Sequence, residues 1–123
     1  MTAIDTSLEY LRRWTTGDLD SAWALLSPDV VCDSPAGRLA GRDAVAAFMA
    51  PFAGSLVGSQ LLAGLGDADR ALLLYDTTTR AVESAPAAEL HTVRDGVITS
   101  IRIIFDRLPF ALARGDVAPV TAG

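Results

Sequence analysis

The stretch GDLDSAWALLSPDVVCDSP, residues 17–35, decides how the chain is read. Gly17 ends one amphipathic segment and Asp18 is placed to cap the next, in which Leu19, Ala22, Trp23 and Leu26 occupy the i, i+3, i+4, i+7 positions of one helical face. Pro28 then closes that helix, Val30-Val31-Cys32 reads as a short strand, and Ser34-Pro35-Ala36-Gly37 is turn chemistry, with proline presetting one dihedral and glycine permitting a positive one. Upstream, Ile4, Leu8 and Leu11 repeat at helical spacing with Tyr10 and Trp14 on the adjoining flank, which predicts a first helix over roughly residues 3–15. Downstream, Val45, Phe48, Met49 and Phe52 make a third apolar face that Gly54 ends.

From Leu56 the period changes to that of strands. Leu56 to Leu65, Arg70 to Arg80, Pro86 to Arg94 and Val97 to Asp106 are four runs rich in Val, Ile, Leu, Tyr and Thr, separated by Gly66-Asp67, by Glu83-Ser84-Ala85 and by Asp95-Gly96. Asp-Gly between apolar runs is a hairpin signal, so the last two runs are expected to pair antiparallel, as are the first two. The order helix, helix, strand, helix, sheet predicts an α+β fold: a cone-shaped barrel in which three N-terminal helices pack on a strongly curved, mostly antiparallel sheet with an apolar mouth. The chain reads as one domain to about Leu112, with residues 113–123 a loosely ordered tail.

Composition narrows the partners. Half of the 123 residues are hydrophobic, a surplus suited to a pocket wall and to a homodimer interface on the exposed sheet face. A net charge of -5 argues against nucleic acid and against an anionic membrane, and favours a neutral or cationic small apolar ligand. The single cysteine, Cys32, excludes an internal disulfide, and with one histidine in the chain no metal site is expected. Met1-Thr2-Ala3-Ile4-Asp5 lacks the basic start and apolar run of a secretory signal, and no run approaches the ~20 apolar residues of a membrane span, so a cytoplasmic location is expected. No glycine-rich phosphate loop or nucleophile elbow is present, and no cofactor is expected.

Tyr10, Gly17-Asp18, Trp23, Ser27-Pro28-Asp29-Val30, Asp33-Ser34-Pro35, Gly41-Arg42-Asp43-Ala44-Val45 and Asp95-Gly96-Val97-Ile98 fall in an order that resembles the nuclear transport factor 2-like superfamily. The likeness is greatest to its SnoaL-like polyketide cyclase and ketosteroid isomerase branches and covers nearly the whole chain. The resemblance implies the cone and a set of positions to inspect. In ketosteroid isomerases a tyrosine of the first helix donates to the developing enolate oxygen, and Tyr10 stands at the matching distance before the Gly-Asp break. The isomerase base precedes the strand-end proline, where this chain has Ser34 with Asp33 one residue away. Its second acid falls beside Leu90, where Glu89 and His91 flank the position. The mid-strand aspartate of the cyclase and epoxide hydrolase branches is replaced by Ile103, and only the terminal Asp106 is retained.

Four residues are therefore candidates for catalysis. Tyr10 is a hydroxyl donor that stays neutral to about pH 10. Asp76, after Leu72-Leu73-Leu74-Tyr75, becomes an acid or base if it faces the cone and a solvated sheet residue if it does not. His91 can exchange a proton near neutrality, or be a hydrogen-bonded structural residue. Asp33, like Ser34, is either a pocket-rim group or turn chemistry ahead of Pro35. Trp14, Trp23, Phe48, Phe52, Ser34, Tyr75, Ile103 and Phe105 are expected to line the ligand pocket. Two functions compete: cofactor-independent acid-base isomerisation, cyclisation or dehydration of a small hydrophobic carbonyl compound, or a binding and dimerisation module without the family's catalytic acids.

Overall fold

The structure, a computed structural model, describes residues 2–120. It is an α+β arrangement in which helices cover one face of a single six-stranded mixed sheet. Helix α1 (Ala3–Thr15) begins with a reciprocal cap: the Thr2 hydroxyl accepts from the Asp5 amide while the Asp5 carboxylate accepts from the Thr2 amide. Its buried stripe, Ala3, Thr6, Ser7, Tyr10, Leu11 and Trp14, lies against the inner sheet face. Each large side chain buried there contributes roughly 1.5–3 kcal/mol.

Four strands follow the predicted runs closely: β3 (Leu56–Gly66), β4 (Arg70–Thr79), β5 (Ala87–Arg94) and β6 (Val97–Phe105). Asp95 and Gly96 both take positive φ, 52° and 76°, and close the β5–β6 hairpin as the Asp-Gly pair predicts. On β3, Gly66 is required by close approach, because a Cβ there would stand 3.0 Å from Ile4 Cβ and 3.0 Å from the Arg70 carbonyl oxygen. Strand β4 alternates between exposed and buried, so Leu73, Tyr75 and Thr77 point inward while Leu72 and Leu74 point out.

The 17–35 region folds differently from its helical reading. Helix α2 (Leu19–Trp23) is one short turn, and β1 (Leu26–Ser34) has begun before Pro28, so Leu26 is a core strand residue rather than a helix-face one. Pro28 sits where the β1–β6 register slips between Leu26 and Val31, a bulge that tolerates a residue with no N–H. A further strand, β2 (Gly37–Ala40), folds back on β1 across the predicted turn.

Helix α3 (Arg42–Ser55) matches the third apolar face, burying Val45 and Met49. Strand order β2-β1-β6-β5-β4-β3 leaves β2 and β3 as free edges. The expected cone-shaped barrel is thus an open sheet, because no pairing joins those edges among the described residues. Its β1–β6 pairing is parallel and the other four are antiparallel. Helix α4 (Leu108–Arg114) crosses the expected domain end at Leu112, and residues 121–123 of the expected tail lie outside the described residues.

Candidate functional site: an apolar pocket above a buried polar chain

Strand β5 carries Ala87, Glu89, His91 and Val93 on its inner face, each buried. Period two places the first three in a row from the mouth of the fold toward α1. Their neighbours follow from register: Ala87 lies between Tyr75 and Phe105, Glu89 between Leu73 and Ile103, His91 between Ala71 and Ile101.

Four polar side chains meet in this row. The Tyr75 hydroxyl donates to Glu89 Oε2. The other carboxyl oxygen of Glu89 lies 2.9 Å from His91 Nε2, and His91 Nδ1 lies 2.8 Å from the Ser7 hydroxyl of α1. Glu89 is 2% exposed and His91 and Ser7 are fully buried, so each relies on the others for partners. If Nε2–H donates to Glu89, a neutral ring accepts the Ser7 proton at Nδ1. Tyr10 meets the edge of His91 with ring centroids 5.6 Å apart. Burial first, and then the nearby Glu89, push the phenols of both Tyr10 and Tyr75 above their ordinary range, so both remain proton donors at neutral pH.

Next to this chain lies a pocket of about 310 Å³ between α3, the inner sheet face and α4. Phe48, Phe52, Ile103, Phe105 and Phe110 form its apolar walls, with Met49 beside them, and Tyr75 and Thr77 bring hydroxyl-bearing side chains to it. Phe110 of α4 packs edge-on against both Phe52 and Phe105, at 6.0 Å in each case, and so closes one side. The turn between β1 and β2 contributes Ala36 to the rim, and Arg107 bridges that turn through a 3.4 Å bond to the Pro35 carbonyl.

Of the four predicted catalytic residues, Tyr10 and His91 are brought together, beneath the pocket rather than in its lining. Asp76 lies on the opposite sheet face from Tyr75 and Thr77, accepting hydrogen bonds from the Ser84 hydroxyl and the Ala85 amide. Asp33 stands 3.8 Å from Arg38 and from Arg102. Of the predicted ligand contacts, Phe48, Phe52, Tyr75, Ile103 and Phe105 line the pocket. Trp14 packs behind it against Phe52 and Tyr75, Trp23 packs on Tyr10, and the Ser34 hydroxyl is spent on its turn, donating to the Gly37 carbonyl and accepting from the Ala36 amide.

Sequence reading names Glu89 only as one of two residues flanking the expected second acid and takes His91 as the candidate, although the i−2 relation puts the two on one strand face. Phe110 and α4 were missed because a seven-residue helix gives too little periodicity. Cys32 is buried, and burial first, then Glu89 and Asp33, push its thiol up to about 11, which removes it as a nucleophile. Among the described residues no three His, Cys, Asp or Glu side chains are grouped to hold a metal ion, and no helix is long and apolar enough to cross a membrane.

Comparison with known proteins agrees with this architecture. A crystal structure of a protein from Kribbella flavida is 54% identical, covers 94% of this chain and 95% of its own, and superposes with a TM-score of 0.91. Two more distant structures share the fold. An NTF2-like protein from Cytophaga hutchinsonii is 20% identical, with coverage of 89% and 95% and a TM-score of 0.76. An LEH-like epoxide hydrolase from M. tuberculosis is 20% identical, with coverage of 90% and 87% and a TM-score of 0.72. No curated protein matches the sequence. Residues 8–101 match the family described as the SnoaL-like domain, and with that match spanning most of the chain and the fold in agreement, the protein belongs to the SnoaL-like domain family.

Proposed function

We propose that the chain takes a small, largely apolar carbonyl compound into the pocket and performs cofactor-independent acid-base chemistry on it, of the isomerase, cyclase or dehydratase kind. The observation that carries the proposal is Tyr75, which lines the pocket and whose hydroxyl is joined to Glu89 and, through it, to His91. A phenol held neutral by burial can polarise a carbonyl oxygen when it turns from Glu89, and the Glu89 oxygen it leaves, with His91 on the other oxygen, would take the α-proton and give it back at carbon. In this reading Tyr75 takes the donor role expected of Tyr10, and His91 acts through Glu89. Asp76 and Asp33 have no part in it.

The test is hydrogen-deuterium exchange at the α-carbon of apolar cyclic ketones in heavy water. Exchange above the solvent background, lost in Glu89→Gln and in Tyr75→Phe, is the expected result. Ketones that bind with no acceleration would end the catalytic reading.

The second reading is a binding module, and one observation favours it: among the pocket-lining residues there is no carboxyl and no imidazole. Native mass spectrometry that finds a retained apolar ligand, with no exchange activity, supports this alternative. The same measurement reads assembly. Leu65, Leu72, Leu74 and Ile104 are exposed on β3, β4 and β6, and the proposal pairs two copies of the chain through this outer face. A monomer mass at micromolar concentration argues against that dimer.

A further inference from the structure

The chain carries fifteen acidic and ten basic residues, yet the pocket lining reverses this balance. Two arginines, Arg107 and Arg114, line the pocket, and none of the acidic residues does. Both arginines come from one element. Arg107 is the N-cap of α4 and Arg114 is its last residue, and between them Phe110 reaches down onto Phe52 and Phe105.

The polar engagements of the two guanidinium groups are few. Arg107 donates to the Pro35 carbonyl at 3.4 Å and has no carboxylate within ion-pair distance among the described residues. Arg114 donates from Nε to Asp116 at 2.7 Å, and that pair is more than half exposed. A guanidinium has five donors arranged as a planar fork, so both keep donors free for a second acceptor. Asp116 already puts a carboxylate on Arg114, outside the lining.

We infer that the pocket selects an apolar monocarboxylate, with its hydrocarbon part between Phe48, Phe52, Phe105 and Phe110 and its carboxylate at the mouth against Arg107 and Arg114. This rests on the pocket being the ligand site and adds the charge class of the ligand. It departs from the neutral or cationic ligand that net charge favours, because attraction at a few ångströms depends on the groups at the mouth, while distant charges are screened beyond a Debye length of about 8 Å. A volume of about 310 Å³ is at the small end for ligand sites and suits a medium-chain or single-ring acid. Charge-assisted, forked hydrogen bonds supply the orientation that apolar walls cannot.

The experiment compares octanoate, octanol and octylamine, which share a tail and differ in head-group charge. Binding is measured by calorimetry at low ionic strength. Occupancy of the pocket is read in parallel from the labelled methyl resonance of Met49, which lines it and is one of two methionines in the chain.

Octanoate is expected to bind about three- to tenfold tighter than octanol, with octylamine weakest, and the advantage should shrink as salt is added. The double variant Arg107→Gln/Arg114→Gln should abolish the preference for octanoate, and the corresponding pair of lysine substitutions should restore part of it. Octanol equal to octanoate, or octylamine tightest, with the Met49 methyl shifted in each case, overturns the charge assignment while leaving the pocket as the ligand site. If no probe shifts that methyl, the pocket reading and the charge assignment both fall.

Discussion

Asp76 and Glu89 are acids on adjacent strands of one sheet, and they experience opposite surroundings. Asp76 follows Tyr75 on β4 and therefore points away from the pocket, where Ser84 and the Ala85 amide hold it at the surface. Glu89 points inward on β5, almost wholly buried, and is shared between Tyr75 and His91. A one-residue difference in phase turns a loop-anchoring carboxylate into the centre of a buried polar chain. Side-chain type is thus a poor guide to role in a sheet, and the face is the deciding variable.

The largest expected break in this comparison is Glu89→Ala. It leaves His91 Nε2 and the Tyr75 hydroxyl buried without partners, at about 1–3 kcal/mol each, so a total loss of about 2–6 kcal/mol is expected in urea unfolding. Asp76→Ala, with its partners free to turn to water, should cost about 1 kcal/mol or less. Equal losses from the two variants would show that the buried chain has no special weight.

Tyr75→Phe sharpens the inner half of the comparison. It removes one of the two partners of Glu89 and keeps the ring packed against Trp14, so a loss of about 1–2 kcal/mol is expected by the same measurement. A phenylalanine variant as stable as the parent would mean the Tyr75–Glu89 hydrogen bond contributes nothing net.

The two tyrosines of the chain, Tyr10 and Tyr75, also report on the buried face through pH. Burial raises both phenols in the folded state above their unfolded value of about 10. The sign is that of a raised folded value: this stabilisation is complete below about pH 10 and is lost as pH rises toward the folded values. Tyrosinate absorbance should therefore stay flat in the native protein through about pH 10.5 and rise in step with unfolding. A titration near pH 10 with the fold intact would place at least one phenol in water.

The smallest effect belongs to a half-buried acid of α1 outside the pocket. Hydrogen bonds from Arg12, then Arg13, lower the Glu9 carboxyl from its ordinary 4.5 to about 2. Because the folded value is depressed, its contribution is present above about pH 4.5 and fades as the solution is acidified toward pH 2. Glu9→Gln should flatten the acid limb of a stability curve slightly in that window, and solvent screening keeps the change small. A steep acid limb that survives the substitution points to other carboxyls.

Much of the fold was legible because local chemistry and tertiary structure agree. The α1 helix, the α3 face, the four strand runs and the Asp95-Gly96 hairpin follow from periodicity and turn residues, although the buried face of α1 is turned toward Ser7, Tyr10 and Trp14 and leaves Ile4 and Leu8 half-buried. Residues 19–28 misled because Leu19, Ala22, Trp23 and Leu26 satisfy a helical template while Leu26 and Pro28 belong to a bulged strand beside β6. A short apolar run fits either period, and pairing with a distant strand settled it. For the site, Phe48, Phe52, Tyr75, Ile103 and Phe105 were named from sequence and line the pocket. Phe110 was not, and Glu89 was named only as a flank of the expected second acid, since nothing local reveals that a carboxyl is buried or that a short helix lies over a cavity.

By itself the sequence determined the alternation: once the two runs are read as strands, Tyr75 and Asp76 must part to opposite faces, and Glu89 and His91 must share one. Only the tertiary structure decided which face is covered, by laying α1 on the Glu89 side and bringing α3 and α4 beside it around the pocket. It also set the parallel seam between β1 and β6. The reason is physical: side-chain period is a property of the backbone within one strand, whereas burial depends on helices that pack from elsewhere in the chain.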